Sequence, residues 1–175
     1  MKLLIANRGE IAIRIMRAAA ELGIETVGIY TKDDAQSLHT GKADSAVEID
    51  GVGAAGYLNI DRVVAIAQQS GCDAVHPGYG FLSENPVFAN RCVSAGLNFI
   101  GPKVEIIELF GDKARARLAA VGADVPVTRG IDRAVSLGEA TDFFDSLGGG
   151  RAIMIKAIAG AVSYTHLTLP TIYSV

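Results

Sequence analysis

The sequence predicts an α/β fold, a parallel sheet flanked by helices, followed by a second region of different character. Two observations carry this expectation. Short runs of β-branched and apolar residues alternate with amphipathic stretches over the first hundred residues. The connections between them are short, as crossover units require.

Taken in order, Lys2 to Ala6 reads as a strand. Glu10 to Leu22 reads as a helix ended by Gly23. Ile11, Ile15, Ala18, Ala19 and Leu22 fall on one stripe of that helix. Thr26 to Tyr30 is a second strand, rich in β-branched and aromatic residues. Ala46 to Ile49 follows as a third, after a polar loop. Asp61 to Gln69 is a helix and Ala74 to His76 a fourth strand. Pro86 to Ala95 is a helix with Asn85 at its N-cap and Pro86 in its first turn. Leu97 to Ile100 is a fifth strand. Beyond Gly101-Pro102, Val104 to Phe110 and Asp112 to Val121 are helical, and Val125-Pro126-Val127 is extended. Ser136 to Leu147 is a helix whose Ser136 and Glu139 form a capping box. Gly148-Gly149-Gly150 ends it, and Ala152 to Ala157 reads as a strand.

A chain of 175 residues, half of them hydrophobic, has room for one domain and part of another. Its net charge of -3 and the lack of any Lys/Arg cluster argue against nucleic acid as a partner. No apolar run is long enough to span a bilayer. The opening residues meet Asn7-Arg8-Gly9-Glu10 too soon for a signal peptide. Cys72 and Cys92 have no metal-ligand spacing and read as reduced thiols of a cytoplasmic protein.

The segment least like an average loop is His76-Pro77-Gly78-Tyr79-Gly80-Phe81-Leu82-Ser83-Glu84-Asn85. It follows a short buried strand, where open α/β sheets bind their ligands. Gly78 and Gly80 allow close backbone approach, and Pro77 keeps His76 out of the helical region. His76 reads as a histidine bonded to neighbouring backbone, because no partner carboxylate is identifiable. Tyr79 and Glu84 are the stronger contributors. The first turn, Asn7-Arg8-Gly9-Glu10, has one glycine where a dinucleotide fingerprint needs three. NAD binding there is not expected, despite Asp33 and Asp34 after the second strand.

This loop and the opening Leu4-Ile5-Ala6-Asn7-Arg8-Gly9-Glu10-Ile11-Ala12 together resemble biotin carboxylase, the ATP-dependent component of acetyl-CoA, propionyl-CoA, methylcrotonyl-CoA and pyruvate carboxylases. The resemblance continues through Gly56-Tyr57-Leu58-Asn59-Ile60, Phe99-Ile100-Gly101-Pro102 and Gly111-Asp112-Lys113 to Ile155-Lys156-Ala157, and it breaks off at Gly160. It implies a Rossmann-like N-terminal domain over 1–110 and the start of an ATP-grasp domain over 111–160. Residues 161–175 lack acidic residues, Lys and Arg, and they depart from the family's glycine-rich loop. They read as a foreign or out-of-frame tail, and the chain as a truncated piece.

The resemblance implies a ligase that uses ATP, Mg2+ and bicarbonate to carboxylate biotin through carboxyphosphate. Its partners would be a biotin carboxyl carrier domain or protein, a carboxyltransferase component and a second copy of itself. Lys113 opposes the helix dipole at a helix start, and the family's matching lysine contacts ATP. Lys156 ends an otherwise uncharged strand, where an ammonium needs an anion or an exit to water; the family's lysine contacts ATP phosphates. His76, Gly78, Tyr79, Gly80 and Glu84 would line the pocket for biotin and bicarbonate. Arg17 and Glu21 form either an intrahelical pair or a contact across a homodimer interface. The family's metal-binding glutamates, bicarbonate base and biotin-side arginine all fall beyond the break at Gly160. No catalytic residue is therefore assigned, and the chain alone is expected to be inactive. Two rivals stand beside this reading: another ATP-grasp ligase, such as one like carbamoyl phosphate synthase, and a non-catalytic α/β dimerisation module.

Overall fold

The computed structural model describes residues 1–131, 133–148, 152, 153 and 155. Lys156, the break expected at Gly160 and the 161–175 tail all lie outside the described residues, as does most of the strand expected over 152–157. The chain divides into two units, Met1–Ile107 and Glu108–Val175.

The first unit runs β1 (Lys2–Ile5), α1 (Gly9–Glu21), β2 (Glu25–Tyr30), a 3-10 turn (Lys32–Asp34), β3 (Ser45–Glu48), α2 (Ala54–Tyr57), α3 (Ile60–Gln69), β4 (Ala74–His76), α4 (Pro86–Ser94), β5 (Asn98–Phe99) and the start of α5 (Val104–Gly111). The five strands form one parallel sheet in the order β3-β2-β1-β4-β5. The expected fold class is therefore the one found. Side chains alternate across β1: Leu4 joins the core under α3 and α4, whereas Leu3 and Ile5 pack with α1 on the other face. Phe88 of α4 meets Phe99 of β5 edge to face, with ring centroids 5.9 Å apart.

Local chemistry explains the helix ends. Asn85 caps α4 by accepting the Phe88 N–H (3.1 Å), with Pro86 in the first turn. At the end of α1 the Gly23 N–H donates to Ala20 O (3.1 Å) and the Ile24 N–H to Ala19 O (2.9 Å), a Schellman closure with Gly23 at φ +67°.

The buried face of α1 differs from the expected stripe. Ala12, Met16 and Ala19 are buried, whereas Ile11 and Ile15 are half-buried and Leu22 is 74% exposed. The helix is apolar over a wide arc, so period alone does not select its face. Small Ala12 and Ala19 allow close approach to the sheet. The 3-10 turn and α2 are absent from the sequence reading because both are too short to show a period. His39, read as part of a polar stretch, is fully buried with Nε2 3.2 Å from Ile29 O.

In the second unit α6 (Lys113–Gly122) is capped by Asp112, whose carboxylate accepts the N–H groups of Ala114 (2.9 Å) and Arg115 (3.1 Å). The last helix, α7 (Leu137–Ser146), carries the expected Ser136–Glu139 capping box.

Candidate functional site

The sheet reverses its order between β1 and β4: β2 and β3 extend one way from this pair, β5 the other. Such a switch point leaves a crevice at the strands' C-terminal ends. Two segments meet there, the turn Asn7-Arg8-Gly9 after β1 and the loop 76–85 after β4. Asn7 is fully buried and joins them. Its Nδ2 donates to Pro77 O (2.8 Å) and Tyr79 O (3.0 Å), and its Oδ1 accepts the Arg8 N–H (2.9 Å). Both functions of the amide are thus used inside the protein.

Gly78 is required by this joint. Its φ is +69°, and a Cβ there would lie 2.7 Å from Asn7 Nδ2 and 2.7 Å from Ile11 Cγ2. His76 Nδ1 accepts the Gly78 N–H (3.0 Å). Burial holds the His76 imidazole below its ordinary pKa, so the neutral ring that accepts this bond is the favoured form. Tyr79 is 60% exposed, and its hydroxyl donates to Glu10 Oε2 (3.2 Å). Gly80 and Glu84 are also exposed, and Glu84 forms no hydrogen bond or ion pair among the described residues.

A second cluster backs the loop, and the sequence reading gave its members no role. Arg8 Nη1 pairs with both Asp34 carboxylate oxygens (3.1 and 3.3 Å). Its guanidinium lies 5.8 Å from the Tyr57 ring centroid and 6.0 Å from that of Phe81. Tyr57 and Phe81 stack with centroids 5.2 Å apart and planes 10° apart. Asp34 also accepts from the hydroxyls of Tyr57 (2.8 Å) and Ser37 (2.9 Å). Burial raises the Asp34 carboxyl, but the bonds from Tyr57, Ser37 and Arg8 outweigh it and hold the group below its usual range. Burial first, and the bond to Asp34 second, push the Tyr57 phenol up to about 12.

A groove of about 560 Å³ opens beside α1, and His76, Gly78 and Tyr79 form part of its wall. Ile11, Ile15, Ala18, Ala19 and Leu22 line the groove as well. The stripe read from helical period is therefore a groove wall as much as a packing face. Arg17 and Glu21 are exposed on α1 and form no ion pair with each other. Lys113 is the first residue of α6.

One motif escaped the sequence reading. Gly51-Val52-Gly53-Ala54-Ala55-Gly56 has the spacing of a dinucleotide fingerprint between a strand and a helix. Here Asp33 fills its anion position, its carboxylate oxygens each accepting the Gly53 N–H at 3.1 Å. The sheet stops at β3, and Gly56 is close-packed, since a Cβ on it would lie 2.4 Å from Thr31 Cγ2. The glycines serve packing and a turn. Among the described residues no group of three or more His, Cys, Asp or Glu is placed to hold a metal.

Comparison with known proteins points one way. The family profile for the biotin carboxylase N-terminal domain matches residues 1–107. A pyruvate carboxylase of Staphylococcus aureus is 52% identical over 162 residues, covering 91% of this chain and 14% of that protein. A solved biotin carboxylase domain of a single-chain bacterial carboxylase superposes with a TM-score of 0.82 at 51% identity, over 85% of this chain and 34% of that one. The biotin carboxylase domain dimer of Hydrogenobacter thermophilus 2-oxoglutarate carboxylase, in complex with MgADP, ADP and bicarbonate, gives 0.80 at 44% identity, over 84% and 33%. The chain thus spans about a third or less of the length of these relatives.

Proposed function

Because the chain belongs to the family of biotin carboxylase N-terminal domains, we propose that it forms the leading part of an ATP-dependent ligase that carboxylates biotin on a carrier domain or protein. The observation that carries this reading is the family match over 1–107 together with a switch-point loop that Asn7 holds in place. In this role His76, Gly78, Tyr79, Gly80 and Glu84 line the pocket for biotin and bicarbonate. His76, kept neutral by burial, orients the loop backbone through Gly78 and transfers no proton.

Lys113 and Lys156 contact ATP, which supplies the phosphoryl group when bound. The described residues offer no acidic cluster for Mg2+, so no metal-dependent step is assigned to them. The catalytic groups of the ligase belong to sequence beyond Gly160, and none is assigned to this chain. The two exposed charges Arg17 and Glu21 support α1 as a contact with a second copy, and the Hydrogenobacter relative is described as a dimer. The carrier and a carboxyltransferase component complete the set of partners. Two free, buried cysteines support a cytoplasmic setting. No described helix is long and apolar enough to cross a membrane.

The chain by itself is expected to show no carboxylation of free biotin. The test of the reading is a chimera in which residues 1–107 replace the matching segment of the Staphylococcus aureus pyruvate carboxylase. Biotin- and bicarbonate-dependent ATP hydrolysis is expected to survive. A folded chimera that binds ATP and carboxylates nothing would overturn the assignment.

A further inference from the structure

We infer that Arg8, Asp34 and Tyr57 are positioning residues that fix the tip of the switch-point loop, residues 77–81, by clamping the ring of Phe81. Phe81 has a φ of +43°, and among the described residues only Asp124 shares a positive φ without being glycine. A bulky residue keeps that backbone only where its surroundings over-determine it. Those surroundings are the flat face of Tyr57 at 5.2 Å and the Arg8 guanidinium at 6.0 Å. The clamp is braced in turn by Asp34, which bonds both Arg8 and Tyr57. Residues from the first turn, the segment after β2 and α2 therefore converge on one loop position.

Leu82 anchors the far side of the loop in the core, and Asn7 holds residues 77 and 79. Glycine would suit the backbone of position 81 better. An aromatic there is explained by what its ring contacts. The consequence for ligand binding rests on the proposed role of the loop; the clamp does not, and its test uses no ligand.

The experiment is amide hydrogen exchange on the full chain, comparing the loop amides of Ser83 and Asn85, which donate to Gly80 O (2.9 Å) and Leu82 O (3.1 Å), with the core amides of Leu4 and Val75. Phe81→Gly and Phe81→Leu are expected to raise exchange in the loop at least about tenfold while the core stays protected. Phe81→Tyr, which keeps the flat ring, is expected to retain wild-type protection. Loop exchange at the wild-type rate in Phe81→Gly or Phe81→Leu overturns the inference, because the turn would then hold itself. If these variants lose core protection too, Arg8→Lys decides. Lysine keeps the charge opposite Asp34 but not the planar face, so a selective rise in loop exchange supports the clamp and an unchanged loop refutes it. A chimera inactive despite a protected loop would sink the functional reading and leave the clamp standing.

Discussion

The two regions of the chain use the same local devices and differ in what those devices are attached to. In 1–107, capped helices cover both faces of a sheet, and Leu4, Ile5, Val27, Tyr57, Val75 and Phe88 are fully buried. In the described residues from 108 onward the caps are equally well formed: Asp112 on α6, and Ser136 with Glu139 on α7. Yet α6 buries none of its residues, and Ala140 is the one buried residue in that described stretch. Caps fix where a helix begins, whereas burial decides whether it persists, because hydrophobic burial supplies most of the stability of helices this short.

The largest effect expected from this contrast is in proteolysis. Residues 121–131 are exposed throughout, so trypsin should cut after Arg129 on the order of a hundredfold faster than after Arg17 or Arg62. Peptide mapping over time checks this, and equal rates would break the comparison. Next is the core. Phe88→Ala should cost about 3–5 kcal/mol, whereas Leu118→Ala, at a position 59% exposed, should cost under about 0.5 kcal/mol. Urea unfolding followed by circular dichroism measures both.

Glycine substitutions sharpen the contrast at finer grain. Gly78→Ala forces a Cβ against Asn7 and Ile11 in a left-handed backbone and should cost about 2–3 kcal/mol. Gly122→Ala meets nothing within 4 Å and should be neutral or stabilising by up to about 1 kcal/mol.

Acidification should also act first on the packed region. Burial holds His76 below 6.5, and the bonds to Asp34 hold its carboxyl below 3.8 against the opposing effect of burial. In each case the unfolded chain takes up the proton first as pH falls. The His76 contribution is complete above about pH 6.5 and declines below it; that of Asp34 is complete above about pH 4 and is lost as pH falls through its folded value. Melting temperatures between pH 7 and 3 should show the upper decline vanish in His76→Gln and the lower one shrink in Asp34→Asn. The most local effect is expected at Ser136→Ala, about 1 kcal/mol confined to α7, read as faster exchange in 137–146 with β1 unchanged.

Much of the fold was legible because its signals are local. Asn85-Pro86, Gly23 and the Ser136–Glu139 pair act within one turn of chain, and the structure has each doing what its chemistry requires. The candidate site was legible only in outline. The loop 76–85 stood out by composition, but Asn7, 70 residues from Pro77 in sequence, gave no sign of being its tether. Arg8, Asp34 and Tyr57 are separated by 26 and 23 residues and carry no shared period. The Gly51–Gly56 turn shows the converse, a motif visible in sequence whose meaning Asp33 cancels from 20 residues away.

By itself the sequence determined the α/β class, the succession of the five sheet strands and of the helices long enough to show a period, and the position of the loop, because short-range sterics and capping bonds act between neighbours in the chain. The tertiary structure alone decided the strand order β3-β2-β1-β4-β5, which arc of α1 is buried and which lines a groove, and the convergence of Arg8, Asp34 and Tyr57 on Phe81. Those outcomes depend on which distant surfaces meet when the sheet closes, and local sequence carries no record of that pairing.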